Sequence, residues 1–160
     1  MEEVSQCTTI WNTKRNMILI SHRGNINGRK PGLENGESYC QAAIDAGYNV
    51  EIDVWVYDGI FWTGHARPQY RVDEDFFLKE EVWCHAKDIE ALKRLLDLGA
   101  HCFFHQNDPV TLTSKGYMWT YPTQPLTEKS ICVKPEVQLI ALKHSAGVCS
   151  DHIQKYEDLR

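Results

Sequence analysis

Two short apolar segments of the chain carry side chains suited to acid–base or metal chemistry. Residues 17–21 lead directly into His22-Arg23, and residues 49–54 hold Glu51 and Asp53 inside an apolar run. Because side chains alternate between the two faces of a strand, Glu51 and Asp53 are predicted to share one face. Two neighbouring carboxylates on a partly buried face cannot both stay ionised cheaply, so one binds a proton or a cation lies between them.

A divalent cation such as Mg²⁺ or Ca²⁺, which prefers oxygen ligands, is the simplest way to accommodate this carboxylate pair. A second histidine, His65, follows the Asp58-Gly59 turn and a predicted return strand at residues 60–63. The imidazoles of His22 and His65 can act as acid and base near neutral pH. The planar guanidinium of Arg23 matches two phosphate oxygens. Together these residues indicate metal-assisted cleavage of a phosphate ester.

The elements that position these residues alternate between strands and helices. Helices are predicted at residues 38–46, 89–98, 136–143 and 153–159, with Asp88 as the N-cap and Gly99 as the end of the second. Strands are predicted at 17–21, 49–54, 60–63, 82–85, 101–105, 117–120, 130–133 and 147–149. This alternation predicts a largely parallel α/β sheet, either open or closed into a barrel.

Composition narrows the class of protein. With 160 residues the chain is predicted to form one domain, 1–160, and the net charge of -5 argues against general binding to nucleic acid or an anionic membrane. No transmembrane segment and no signal peptide are predicted, because no apolar run approaches the roughly 18 residues needed and the N-terminus is acidic. Six cysteines without a CxxC pair favour a reducing, cytoplasmic location. Nothing in the sequence indicates an oligomeric state.

Five motifs in residues 18–66 resemble those of the glycerophosphodiester phosphodiesterase family in order and approximate spacing. They are His22-Arg23-Gly24, Glu34-Asn35, Glu51-Ile52-Asp53-Val54, Asp58-Gly59 and Gly64-His65. The resemblance implies a reduced TIM-barrel-like (β/α)8 barrel, shortened by replacing several helices with loops, with its chemistry at the carboxyl ends of the strands. It also implies a hydrolase of lipid metabolism that binds one divalent metal ion and cleaves a small phosphodiester substrate.

The chain departs from the family pattern at two places. The family's His-Asp dipeptide is His65-Ala66 here, and the family's third metal carboxylate has no obvious counterpart. The best positional match for that carboxylate is His105, which would shift the metal preference from Mg²⁺ or Ca²⁺ towards Mn²⁺ or Zn²⁺. His101 is predicted to share the face of His105, so these two histidines with a carboxylate form a rival, zinc-binding set.

Further residues are predicted to bind substrate or phosphate, each with a structural alternative. Glu34 would hold the metal or substrate hydroxyls, or would only stabilise a helix N-terminus. Lys87 would contact phosphate or be a solvated lysine at a helix start. Trp119 would line the pocket or belong to the core. We interpret His85 as structural, and Asp151 as either a site residue or a helix cap.

Two functions follow from the sequence. The first is a metal-dependent phosphodiesterase in which His22 and His65 are the acid–base pair, Glu51, Asp53 and His105 bind the metal, and Arg23, Glu34, Lys87 and Trp119 bind substrate. The second is a phosphate- or polyol-binding domain that keeps the pocket with weakened catalysis. The shortness of the chain, Ala66 and the missing third carboxylate motivate the second.

Overall fold

The computed structural model of the chain describes residues 16–137 and 142–160. The strands within these ranges are β1 (Ile18–His22), β2 (Asn49–Tyr57), β3 (Ile60–Thr63), β4 (Tyr70–Arg71), β5 (Val82–Ala86), β6 (Cys102–Phe104), β7 (Val110–Leu112), β8 (Met118–Thr120), β9 (Ser130–Val133) and β10 (Gly147–Ser150). The α-helices are α1 (Glu37–Asp45) and α2 (Ile89–Leu98). Short 3-10 helices lie at Glu74–Leu78, Pro135–Val137, Leu142–His144 and Ile153–Leu159.

Seven strands run parallel in one sheet, in the order β6-β5-β2-β1-β10-β9-β8. The antiparallel strands β3 and β4 extend from the second half of β2, and β7 extends from β8. The sheet is curled, because the ring of Phe103 on β6 lies 4.6 Å from the ring of Trp119 on β8 although these strands stand at opposite ends of the parallel series. Since the seven strands are parallel, their carboxyl ends meet at one edge of the sheet.

Helix α2 has clear start and stop signals. The Asp88 side chain accepts a hydrogen bond of 2.7 Å from the backbone N–H of Ala91 at the start of α2. The helix ends at Gly99, whose φ of 75° is in the left-handed region that glycine adopts without strain. Ala91 and Leu95 of α2 are buried against the sheet, as are Cys40 and Ala43 of α1.

Strand β2 separates two environments. Its residues Val50, Ile52 and Val54 are fully buried in the cluster that includes α1 and α2. The opposite face of β2 carries Glu51 and Asp53, as the alternation of side chains predicted. On that inner side of the sheet a second cluster packs side chains from six strands: Ile20, Trp83, Phe103, Trp119, Ile131, Val133 and Cys149. The curled sheet therefore has helices outside it and an aromatic core inside it.

The predicted largely parallel α/β arrangement is confirmed, including α2 and β3 with the predicted bounds. The segment 153–159 is a 3-10 helix rather than an α-helix, and Pro135–Val137 is also 3-10, where an α-helix over 136–143 was predicted. Residues 138–141 of that predicted helix lie outside the described residues, as do the acidic N-terminus and Cys7. Across residues 16–137 and 142–160, no helix combines the length and the apolar character needed to cross a membrane.

Candidate active site

A polar cavity of about 440 Å³ lies at the edge where the carboxyl ends of the parallel strands meet. Its ionisable lining residues are His22, Arg23, Glu51, His65, His85, Lys87, His105 and Lys134. Its other lining residues are Phe104, Gln106, Trp119, Tyr121 and Val133. Parallel sheets with helical crossovers commonly place ligands at this edge, because loops of several strands converge there. The cavity is therefore the candidate active site.

The carboxylate pair lies at this cavity: Glu51 and His85 belong to its lining, and Asp53 is next to both. Glu51 is 2 % exposed and Asp53 is 1 % exposed, and oxygens of both lie within 4.8 Å of each other and of a His85 ring nitrogen. Burial and the neighbouring Asp53 charge raise the pKa of Glu51. Burial would also raise the pKa of Asp53, but the hydrogen bond from His65, the adjacent His85 imidazole and the charge of Arg23 hold it well below its usual value. The two acids thus titrate far apart, as like charges in one buried site must.

The orientation of His85 fits a bound cation. Its Nε2 lies 3.5 Å from the backbone carbonyl of His105, an acceptor, and the neutral tautomer that donates to this carbonyl leaves Nδ1 without a proton. The bare Nδ1 then faces Asp53 Oδ1 at 3.1 Å and Glu51 Oε1 at 3.8 Å. Three lone-pair atoms facing one another are stable only with a proton or a cation between them. A second ring nitrogen aimed at a backbone carbonyl is also the usual arrangement of a metal-binding histidine.

Two buried oxygens of the pair support the same interpretation. Among the described residues, no hydrogen-bond donor reaches the buried atoms Glu51 Oε2 and Asp53 Oδ1, although His85 and Lys87 lie within ion-pair distance of Asp53. Buried carboxylate oxygens are normally hydrogen-bonded, so these two atoms are available to coordinate a bound cation. Two carboxylates and one imidazole suit Mg²⁺, Mn²⁺ or Zn²⁺, and the set alone does not select among them.

Asn35 fixes the position of Asp53. The Asn35 amide donates to Asp53 Oδ2 at 3.0 Å, and its oxygen accepts from the Asp53 backbone N–H at 2.8 Å. Asn35 has a φ of 67°, a conformation that asparagine tolerates better than most residues. The Asn35 carbonyl in turn accepts from the Thr63 hydroxyl at 2.6 Å. The asparagine of the Glu34-Asn35 motif therefore holds one carboxylate of the buried pair in place.

His22 is held by a buried carboxylate from the last strand. Its Nδ1 lies 2.7 Å from Asp151 Oδ1, and the same oxygen accepts a hydrogen bond of 2.8 Å from Asn25. Tyr39 donates to the Asn25 side-chain oxygen at 3.0 Å. Burial would raise the pKa of Asp151, but the hydrogen bond and charge of His22 lower it to about 2. Because an ionised carboxylate only accepts hydrogen bonds, the His22 proton is on Nδ1 and Nε2 is free, 3.8 Å from Glu51 Oε2.

This buried pair predicts a specific acid sensitivity. The Asp151 pKa falls from its ordinary 3.8 to about 2 on folding. Its contribution to the free energy of unfolding is therefore complete above about pH 4 and is lost as the pH falls towards 2. The loss corresponds to about 2 kcal/mol. Urea unfolding of the wild type and of Asp151→Asn at pH 7 and pH 3 measures it. The variant should lose less free energy of unfolding between these pH values than the wild type, and equal losses would contradict the pairing.

His65 and Arg23 lie beside the other carboxylate. His65 Nδ1 is 3.3 Å from Asp53 Oδ2, and its Nε2 is 3.4 Å from Arg23 Nη2. Arg23 Nε lies 3.1 Å from Asp53 Oδ2. Since Arg23 can only donate, the neutral His65 carries its proton on Nδ1 and directs it to Asp53. Asp53 thereby supplies the orienting carboxylate that Ala66 cannot.

Backbone geometry around these residues is unusual. Arg23 has a φ of 55°, a conformation that few non-glycine residues adopt and that often occurs at functional sites. Gly24 follows with a φ of 86°, and a Cβ there would lie 2.7 Å from the Tyr39 ring. At Gly64, before His65, a Cβ would lie 2.3 Å from the Arg67 carbonyl. Both glycines are required for the chain to present the neighbouring histidine or arginine.

Glu34 lies behind Arg23 and is absent from the cavity lining. It is buried and accepts hydrogen bonds from Asn25 at 3.0 Å and Arg29 Nε at 3.0 Å. Arg23 Nη1 lies 3.4 Å from its other oxygen. Burial would raise the Glu34 pKa, but the hydrogen bonds from Arg29 and Asn25 lower it overall. Glu34 therefore positions Arg23 and Asn25, and its predicted contact with metal or substrate stays a prediction.

The remaining polar predictions have mixed outcomes. Lys87 lines the cavity with its Nζ 3.6 Å from Asp53 Oδ1. His105 also lines it, but its Nε2 lies 3.0 Å from the Tyr121 hydroxyl and its ring stacks on His85 at 4.4 Å, so its role as third metal ligand stays a prediction. Burial and the charge of His85 lower its pKa to about 4. In the described ranges, the residues placed together with metal-ligand spacing are Glu51, Asp53 and His85, without His101 or His105.

His101 belongs to the aromatic core. Its Nε2 lies 2.8 Å from the Thr113 hydroxyl, and its ring lies 3.9 Å from that of Trp83. Burial and the charge of Lys115 lower the His101 pKa to about 4, so the ring is neutral at pH 7. Its two neighbours account for the buried position without a metal.

Trp119 both lines the cavity and fills the core. It is 2 % exposed, and its ring lies 4.6 Å from Phe103 and 6.2 Å from Trp83. Because almost all of its surface is covered by protein, the structural role dominates.

We expect Trp119→Ala to lower the free energy of unfolding by about 3–5 kcal/mol, the usual cost of truncating a buried aromatic residue. Urea unfolding at pH 7 measures the change. The exposed Tyr57 provides a matched aromatic control, since Tyr57→Ala should cost less than about 1 kcal/mol. Equal costs at the two positions would show that Trp119 is not a core residue.

Sequence reasoning missed two members of the site. His85 was interpreted as structural, although its position on β5 opposite Asp53 places it at the carboxylate pair. A signal was available, because alternation along β5 places His85 on the same face as Trp83, directed inward if β5 neighbours β2. Asp151 was left open between two roles, and its link to His22 depends on the pairing of β1 with β10 at opposite ends of the chain. Local sequence carries no sign of that pairing.

Comparisons of the chain with protein-family models, with curated proteins and with solved structures find no match.

Proposed function

We propose that this protein is a metal-dependent phosphodiesterase that hydrolyses a glycerophosphodiester or a related small phosphodiester by two-histidine acid–base catalysis. The observation that carries the proposal is the convergence of three features in one cavity. These are the Glu51-Asp53-His85 group, the imidazoles of His22 and His65 beside the two carboxylates, and cationic side chains next to them. The motifs of residues 18–66 that resemble glycerophosphodiester phosphodiesterases supply these residues, with the exception of His85.

Glu51, Asp53 and His85 would hold the divalent cation. When bound, the cation supplies positive charge next to the phosphoryl oxygens and acidifies a nearby hydroxyl. Arg23 is placed beside Asp53 and His65 and can donate two hydrogen bonds to non-bridging phosphate oxygens. Lys87 adds charge from the other side of Asp53. These cations stabilise the negative charge that develops during phosphoryl transfer.

The two histidines move the protons. One imidazole takes the proton of the attacking hydroxyl, which belongs to water or to the 2-hydroxyl of the substrate, as its oxygen bonds to phosphorus. The bond from phosphorus to the departing alcohol breaks, and the other histidine, in its protonated form, donates a proton to that oxygen. Asp151 holds His22 with Nε2 free, and Asp53 with Arg23 orients His65. Each histidine thus has its own buried carboxylate.

Phosphorus NMR tests the proposal directly. Purified protein is incubated with glycerophosphoglycerol and glycerophosphocholine, with Mg²⁺, Ca²⁺ or Mn²⁺ in parallel tubes and a chelator as the control. We expect the divalent cation to stimulate the appearance of a phosphate monoester or cyclic phosphate signal. Saturable binding of these diesters without any product would instead support the binding-domain alternative, which Ala66 and the exposed His65 side chain favour (54 % exposed).

Two further parts of the proposal concern the fold and the location of the protein. We propose that the curled parallel sheet is a reduced (β/α) barrel, which the inner cluster from six strands and the polar cavity at the carboxyl edge support. We also propose a cytoplasmic location. In the part of the chain that the structure describes, five buried cysteines are free thiols, which suits a reducing compartment.

A further inference from the structure

Lys134 lines the cavity at the carboxyl end of β9 and is held there by its backbone. It has a φ of 49°, and its N–H donates to the Cys149 carbonyl at 2.8 Å. Its own carbonyl accepts from the Val137 N–H at 3.1 Å. A non-glycine residue in the left-handed region persists only where its surroundings fix it. The backbone of Lys134 is therefore anchored, and the position at which its side chain enters the cavity lining is set.

The position of Lys134 separates it from the reacting groups. Along the edge of the sheet, β9 follows β10, which follows β1 and β2. Neighbouring strands lie about 4.8 Å apart, so the backbone of Lys134 is roughly 10 Å from the backbone of His22 and roughly 15 Å from that of Glu51. Its charge nevertheless helps to lower the pKa of Asp151, the partner of His22. Along this edge, Lys134 thus lies on the far side of Asp151 from His22, away from the Glu51-Asp53-His85 group.

The charge of Lys134 acts on Asp151 but forms no close ion pair among the described residues. Arg23 and Lys87 both pair with Asp53. For Lys134, no carboxylate oxygen lies within 4 Å in the ranges 16–137 and 142–160. An unpaired lysine in the wall of a cavity attracts an anion and repels a cation.

The aromatic lining residues do not offset this preference. A quaternary ammonium group is usually bound on the open faces of aromatic rings. Here one face of Trp119 is stacked on Phe103 at 4.6 Å. Tyr121 packs edge-on to the His105 ring at 5.1 Å and is tied to it through its hydroxyl. Neither ring belongs to a cage of open aromatic faces.

We propose that Lys134 binds an anionic group on the alcohol portion of the substrate, so that the enzyme prefers diesters carrying a carboxylate or phosphate beyond the phosphodiester itself. This inference rests on the proposed function, since it assigns the substrate class of the same cavity. A charge-assisted hydrogen bond from an ammonium group to such an anion is strong enough for about a tenfold preference.

The test compares synthetic diesters that differ in the alcohol: glycerophosphoethanol, glycerophosphoglycolate, glycerophosphoglycerol phosphate and glycerophosphocholine. We expect kcat/KM to be at least about tenfold higher for the carboxylate or phosphate diester than for the neutral one, and lowest for choline. Comparing glycerophosphoglycolate with glycerophosphoglycerol phosphate shows whether Lys134 prefers a carboxylate or a phosphate. Lys134→Gln should reduce the ratio of anionic to neutral substrate by at least about fivefold. The matched control is Lys129→Gln, an exposed lysine just before the other end of β9, which should keep the wild-type ratio.

Binding separates this inference from the proposed function. Calorimetric titration of the same diesters into His22→Ala measures affinity without turnover, and His22→Ala with Lys134→Gln measures it without the lysine. A tenfold affinity preference that disappears in the double variant supports the anionic subsite, even if the wild type hydrolyses nothing and the phosphodiesterase proposal fails. Equal affinities for the neutral and anionic diesters, or a preference that survives Lys134→Gln, would overturn the subsite.

Discussion

Replacing His22 or His65 by alanine is expected to lower kcat/KM for glycerophosphodiester hydrolysis at least about a hundredfold, the usual scale for losing an acid–base group. Each imidazole lies within 4 Å of one carboxylate of the buried pair, and both residues line the cavity. Removing either one leaves a proton without a donor or an acceptor in the transition state. Phosphorus NMR or a coupled assay of the released alcohol measures the loss.

The matched control for both variants is His144→Ala. His144 is an exposed histidine in the Leu142–His144 turn and is absent from the cavity lining. Its replacement should leave kcat/KM within about twofold of the wild type. Thermal unfolding of each variant shows that it is folded before its activity is compared. Wild-type turnover in folded His22→Ala or His65→Ala would overturn the assignment of the acid–base pair.

Glu51→Gln is expected to remove cation-stimulated activity, with a loss of at least about a hundredfold, because the cation supplies several kcal/mol of transition-state stabilisation. The same variant should stabilise the cation-free protein. Burial and Asp53 raise the Glu51 pKa above its ordinary 4.5, so the free energy of unfolding falls as pH rises above 4.5. At pH 7 the buried Glu51 carboxyl group therefore lowers the free energy of unfolding, and the neutral amide removes that cost.

Activity and urea unfolding of the cation-free proteins at pH 7 check the two parts of this prediction. The control is Glu128→Gln, an exposed acid before β9, which should change neither. If Glu51→Gln keeps its response to divalent cations, the metal site has been placed at the wrong residues. If it is less stable than the wild type without cations, the carboxylate pair is not a source of repulsion.

The sequence predicts most of the site because its motifs are local. Glu51 and Asp53 are two residues apart on one strand, so alternation alone places both on one face. His22-Arg23-Gly24 and Gly64-His65 each require a glycine where a Cβ would collide with a neighbour. In both motifs, the residue that sets the backbone geometry is therefore adjacent in sequence to the functional residue. The helix at Ile89–Leu98 is predicted for the same reason, with its cap and its stop both adjacent in sequence.

The remaining contacts depend on which strands are neighbours. His85 meets Asp53 because β5 pairs with β2 in a register that sets these residues opposite each other. His105 was predicted as a ligand because it matched a family position, and in the structure its ring stacks on His85 and is hydrogen-bonded to Tyr121. Asp151 reaches His22 across 129 positions of the chain. Sheet order is a property of the whole fold, and a single sequence does not specify it locally.

We propose that the buried acids of β2 are stable together because they bind a divalent cation. Thermal unfolding of the metal-free wild type, titrated with Mg²⁺, Mn²⁺, Ca²⁺ or Zn²⁺ at pH 7, tests this most directly. A cation present at about a hundred times its dissociation constant adds about 2.7 kcal/mol, which is several degrees in Tm for a chain of this size. We predict that at least one of these cations raises the Tm of the wild type by that amount and leaves Glu51→Gln unchanged. A wild-type Tm that none of the four cations shifts at millimolar concentration would contradict the account.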